Sequence, residues 1–187
     1  MGRPARFDEE RILDAALRTV GEDGPAKTTI AAVARRLGAP VGSIYHRFAS
    51  RDLLLATLWL RTIRRFQEGF LAALAAGDLE GAAVHTPRWC RRHPAEARVL
   101  LLHRATDLVA RWPDDLGAEL TALNSRVAAA LRAHAATDEA RERLAFALID
   151  VPYGAVRRHL ARGEPPPPLV DELVIEACRA VLGRPGR

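Results

Sequence analysis

Residues 25–51 read PAKTTIAAVARRLGAPVGSIYHRFASR, and this stretch decides the fold. Two short segments with helical periodicity, 29–37 and 41–47, flank Gly38, a residue for which positive φ carries little cost. Val33, Leu37, Ile44 and Phe48 are spaced to face inward, and Ala34 is small where two crossing helices touch. The window holds Lys27, Arg35, Arg36, Arg47 and Arg51 with no Asp or Glu, so it carries a charge equal to the formal net +5 of the whole chain. A basic helix-turn-helix has the shape and charge to enter a DNA groove. A merely solvated basic face is the plainer alternative.

Working outward, a first helix is expected from Asp8 to Glu22, capped by Asp8 and carrying the apolar stripe Ile12, Leu13, Ala16, Leu17 and Val20. The second and third helices are 29–37 and 41–47. A fourth starts after Ser50 and runs to Ala76, with Leu55, Trp59, Ile63, Phe66, Phe70 and Leu74 recurring every three or four residues. Further helices are expected at 79–92, 94–111, 114–136, 138–162 and 168–182, broken by Pro94, Pro113, Thr137-Asp138 and the Gly163 to Pro168 run. The fold class is therefore all-α with about nine helices. Residues 1–50 form a helix-turn-helix domain and residues 51–187 a second helical domain.

Composition bounds the chain further. Its 187 residues, 49% hydrophobic and 27% charged, describe a globular protein long enough to bury a core. Lys27 is the single lysine among 28 basic residues, an arginine bias that says little about function. Cys90 and Cys178 are too few for a disulfide framework. With no leader and no long apolar run, a cytoplasmic location without membrane contact is expected.

The window resembles the TetR family of transcriptional regulators. The likeness lies in Thr29-Ile30, Val33-Ala34, Leu37-Gly38, Ser43-Ile44-Tyr45-His46-Arg47-Phe48 and Ser50-Arg51-Asp52-Leu53-Leu54. It departs from the family pattern at Arg51 (usually lysine), Arg47 (usually histidine) and Pro40 (often polar). The resemblance implies a double-stranded DNA operator as partner. Thr28 or Thr29 would bind phosphate, Pro40, Val41, Gly42 and Ser43 would enter the groove, Tyr45 and His46 would hold phosphate, and Arg51 would clamp the backbone. Arg3 and Arg6 could form an arm reaching a neighbouring groove. It also implies a homodimer joined through the last two helices, where Leu144, Leu148, Val151, Ala155, Val170, Leu173, Val174, Ala177 and Val181 form apolar stripes. Those stripes could equally be core of one chain.

The middle helices are expected to enclose a site for an apolar small-molecule effector. Trp59, Phe66, Phe70, Trp89, His103, Trp112, Phe146 and Asp150 are its candidate lining, alongside the simpler reading that the aromatics are core. Asp150 sits in LAFALIDVPYGAV, apolar on nearly every side, so a helix there would bury it in part. Pro152 lacks the donor for Leu148 O, which predicts a kink. His103 and Asp107 are four apart and could hydrogen-bond. A metal- or thiol-sensing regulator using His85, Cys90 and His93 is one alternative; a small helical enzyme is another, though no phosphate loop or nucleophile elbow is present. No catalytic residue, metal site or cofactor is expected.

Overall fold

A computed structural model describes residues 8–101 and 114–183. Arg3, Arg6, His103, Asp107 and Trp112 lie outside the described residues. Within them every regular element is helical: α1 (Glu9–Asp23), α2 (Ile30–Leu37), α3 (Val41–Tyr45), α4 (Arg51–Ala75), α5 (Leu79–Arg92), α6 (Pro94–Leu101), α7 (Asp114–Ala133), α8 (Asp138–Ala145), a π-helical turn (Phe146–Asp150), α9 (Val151–Leu160) and α10 (Leu169–Leu182). Residues 138–160 run on without a break, so they make one long helix carrying an inserted turn.

The helix starts obey local chemistry. Asp8, Thr29, Ser50, Asp78 and Thr137 each accept a hydrogen bond from a backbone N–H of the turn they cap, satisfying a donor that has no helical partner. Gly38 ends α2 in the left-handed region, with φ of 65°, where a side chain would be strained. The third helix is shorter than its pattern predicts. It ends at Tyr45, and Arg47 N then donates to Ile44 O at 2.9 Å, a tightened last turn.

The π-helical turn is the physical form of the disturbance expected at Pro152. A proline ring crowds the carbonyl four residues earlier, and widening the preceding turn relieves that clash. Val151 N accordingly reaches back to Phe146 O, one residue further than in an α-helix.

Three apolar clusters hold the bundle. The first joins α1, α2, α3 and α4 through Ile12, Val33, Ile44, Phe48 and Leu58, and extends to Val99 of α6 and Leu120 and Leu123 of α7. The second joins Phe70 and Leu74 of α4 to Leu131, Leu144, Leu148, Val170 and Val174. The third sits around Trp89, Cys90, Ala97 and Val156. The helix α4 spans the first two, so one continuous rod links the helix-turn-helix to the middle of the bundle.

Polar contacts pin the same elements. Arg61 of α4 is nearly buried and donates through Nη1 to Glu10 Oε2 at 2.8 Å and Asp14 Oδ1 at 2.9 Å, fastening α4 to α1. Arg98 of α6 donates to Gly21 O at 2.5 Å. Arg91 donates to the carbonyls of Pro166 and Pro167 and to Asp171, which ties the proline run and the start of α10 against α5.

Candidate functional site

In α3, Ile44 is the one buried residue, and it packs the helix into the first core. With that face inward, Pro40, Val41, Gly42, Tyr45 and His46 are exposed and Ser43 is half-buried. Val41 and Tyr45 are large apolar or aromatic groups left on the surface, 42% and 54% exposed, where burial would ordinarily be favoured. Their four-residue spacing puts them on one face.

The positive charges beside α3 are not equivalent. Lys27, Arg35 and Arg47 are exposed and take part in no ion pair among the described residues. Arg36 is engaged by α1: its guanidinium hydrogen-bonds Glu22 at 2.6 Å, which holds that carboxyl below the usual carboxylate range, and it meets Asp23 at 3.5 Å. Thr28 corrects an expectation, because it is fully buried and its hydroxyl donates to Gly24 O at 2.9 Å. Thr29 remains exposed as the cap of α2. Arg51 also has a prior commitment: Nε donates to Thr28 O and Nη2 to Pro25 O, both at 2.7 Å. It staples the start of α4 to the loop before α2, a role that counting charges does not reveal.

A cavity of about 390 Å³ opens in the middle of the bundle. Helix α4 supplies Phe66, Gln67 and Phe70, α5 supplies Thr86, and α7 supplies Asn124, Val127, Ala128 and Leu131. The wall is completed by Leu148 and Ile149 of the π-helical turn and by Tyr153 of α9. The widened turn therefore borders the cavity. Among the described residues no charged side chain lines it.

Two of the expected lining residues, Phe66 and Phe70, are there. Trp59 is buried in the first cluster instead, and Trp89 stands behind Phe66, edge to face at 5.2 Å. Phe146 points outward, 49% exposed, and Asp150 is exposed rather than partly buried. A helix apolar on nearly all sides in sequence leaves one face uncovered here, and Asp150 is on it. His103 and Trp112 lie outside the described residues. Gln67, Thr86, Asn124 and Tyr153 also line it; the first three carry no aromatic ring to mark them in the sequence.

The apolar stripes of the last two helices divide in the same way. Leu144, Leu148, Val170 and Val174 are enclosed by their own chain, which corrects their place at a dimer seam. Val151, Ala155, Ala177 and Val181 are half-buried, and Leu173 is exposed. Phe146, Tyr153, Leu169 and Leu173 are the large side chains these segments leave uncovered.

His85, Cys90 and His93 stand in separate surroundings. Among the described residues no three His, Cys, Asp or Glu side chains converge as a metal site requires. Burial pushes the Cys90 thiol up to about 12, far from a reactive thiolate. His93 lies against the Trp89 ring, and His85 packs its ring against Phe66 and Phe70 behind the cavity. The His85 Nε2 lies 2.8 Å from Phe66 O, and burial lowers its pKa.

Gly69 is what admits that imidazole. A Cβ there would lie 2.4 Å from His85 Cε1 and 3.1 Å from Nδ1. Gly69→Ala is therefore expected to destabilise the fold by about 1–3 kcal/mol through overpacking. Adding His85→Ala should recover part of the loss, a non-additivity that thermal unfolding of both single variants and the double variant would measure. Strict additivity would show that the ring is not the obstacle.

Residues 12–58 match the family model for bacterial regulatory proteins of the tetR family. No curated protein sequence matches the chain. Among solved structures, the chain is similar to the multidrug binding protein EbrR, crystallised with imidazole, at 22% identity and a TM-score of 0.65, covering 98% of each chain. It is similar to a transcriptional regulator from Streptomyces coelicolor A3(2) at 24% identity and a TM-score of 0.66, covering 96% of this chain and 99% of that one. A transcriptional regulator from Rhodococcus sp. Rha1 is 18% identical with a TM-score of 0.68, over 94% and 96% of the two chains. These structures share the fold along nearly the whole length. The helix-turn-helix stretch, residues 12–58, is thus similar to the tetR family of bacterial regulatory proteins, and the rest of the chain shares the fold of these structures.

Proposed function

We propose that the chain is a ligand-responsive repressor that works as a homodimer, binds a palindromic DNA operator, and releases it when a small, largely apolar effector fills the cavity. It acts by binding and not by catalysis, in the cytoplasm. Residues 1–50 are the DNA-reading domain and residues 51–187 the effector and dimer domain. The observation that carries this reading is the continuity of α4, which bears Arg51 at the DNA-reading end and Phe66, Gln67 and Phe70 at the cavity. A ligand that favours one tilt of α4 favours one spacing of the two α3 helices, and only that differential affinity can shift DNA binding.

The second copy is proposed to cover the outward face of the last helices, where Phe146, Leu169 and Leu173 are exposed. A face of that kind on a chain with an apolar core of its own is more than solubility requires. Two readers would then meet half-sites about one helical turn apart, or a multiple of that spacing.

The test separates positioning from reading. Tyr45→Ala should weaken binding to operator and to unrelated duplex alike, by roughly 10- to 100-fold for a lost hydrogen bond to a charged phosphate. Ser43→Ala should instead change the ratio between the two duplexes. Fluorescence anisotropy on both duplexes reads each effect, and an equal loss on both from Ser43→Ala would remove Ser43 from the groove.

A further inference from the structure

The cavity wall carries a specific polar vacancy. Gln67 is about nine-tenths buried, yet its Oε1 is sealed from solvent without a hydrogen-bond partner. Its other end is scarcely better held, since Nε2 reaches Asn124 Oδ1 only at 3.5 Å. A buried amide with an unmet acceptor is costly, and native interiors rarely keep one without reason. The amide torsion of glutamine is soft, so a turn about it presents Oε1 to the space the side chain lines. Around it the described wall is mostly apolar and aromatic, with Thr86 and Asn124 as further neutral polar groups and no carboxylate, guanidinium or imidazole among the described lining residues. An ion placed there would be desolvated with no counter-charge.

We infer that the cavity selects a neutral ligand with an apolar, ring-sized body and one hydrogen-bond donor, such as a hydroxyl or amide N–H, that meets Gln67 Oε1. The inference rests on the proposed effector role of this cavity and adds the chemical class. A donor satisfies the acceptor left over in the empty protein, so the gain comes from both partners. Charged molecules of the same size would meet no counter-charge among the described lining residues. Gln67 is then the specificity residue, and Phe66 and Phe70 supply the apolar contact.

Calorimetry on the full chain, without DNA, tests this with naphthalene compounds bearing a hydroxyl, methoxy, carboxylate or aminomethyl group at the same ring position. The hydroxyl compound should bind about tenfold tighter than the methoxy one, the difference of one hydrogen bond. Both ionic compounds should bind at least about 100-fold more weakly than the hydroxyl compound. Gln67→Met should retain the methoxy compound and close the gap to the hydroxyl one. Gln67→Glu, which keeps the shape, should turn the preference toward the aminomethyl compound. The idea is overturned if either ion binds within about tenfold of the hydroxyl compound, a margin no uncompensated buried charge permits. It is also overturned if the hydroxyl preference survives in both variants, or if none of the four compounds binds. Because no DNA is present, a confirmed preference with no effect on operator affinity would sink the proposed release mechanism and leave the ligand class standing.

Discussion

Ile44→Ala is expected to abolish operator binding while most of the bundle stays folded. Ile44 is fully buried, and it is the one buried residue of a five-residue helix. Removing three carbons from such a site costs about 2–5 kcal/mol, including the cavity left behind. A helix of that length has no stability of its own, because nucleation is not recovered over so few hydrogen bonds. The loss therefore falls first on α3 and on the surface made by Val41, Gly42 and Tyr45. Thermal unfolding should report the destabilisation, and amide exchange at His46 and Phe48, whose N–H groups donate to Gly42 O and Ile44 O, should report the local opening. Val41→Ala, on the exposed side, should leave stability within about 0.5 kcal/mol of the parent. If Ile44→Ala folds and still binds operator at parental affinity, α3 is not held in the way its packing indicates.

The second large effect is salt. Lys27, Arg35 and Arg47 have no carboxylate partner among the described residues, so each is free to displace a counterion from DNA. In a dimer these amount to about six phosphate-facing charges, for which raising salt from roughly 50 to 200 mM should lower affinity about a thousandfold. The slope of log affinity against log salt should become shallower in Arg47→Ala and barely change in Arg36→Ala. Arg36 is already engaged by Glu22 and Asp23. Equal slopes for the two variants would mean that the ion pair with α1 opens on DNA.

That contrast shows how far the sequence could be read. The capping residues Asp8, Thr29, Ser50 and Thr137, and the turn glycine Gly38, act within a few residues of themselves, so their chemistry is visible in a linear string. The inward set Val33, Ile44 and Phe48 is legible for the same reason: helical spacing fixes which side chains share a face. What the string hides is the identity of the partner. Leu148 and Val174 lie on genuine apolar stripes, but periodicity does not say whether the same chain or a second copy covers them. Thr28 and Arg51 look like phosphate ligands until the loop brings Gly24 O, Pro25 O and Thr28 O beside them. The cavity was the least legible part, because its wall is assembled from four separate helical stretches, and its polar members Gln67 and Asn124 look ordinary on their own helices.

Arg51, Arg61 and Arg98 have a joint mechanical consequence. Each ends on the first thirty residues: Arg51 on the loop before α2, Arg61 on Glu10 and Asp14 near the start of α1, and Arg98 on Gly21 near its end. One rod touching a body at a single point is a tether, and the body can swivel. Contacts at two heights on α4, about 15 Å apart for ten helical residues, plus a third from α6, remove the swivel in every direction. The helix-turn-helix then has no joint of its own, and its orientation is set by the bend and roll of α4 and α6. Loosening any one of the three arginines would restore a degree of freedom, so the helix-turn-helix would wander about its orientation instead of taking a new one.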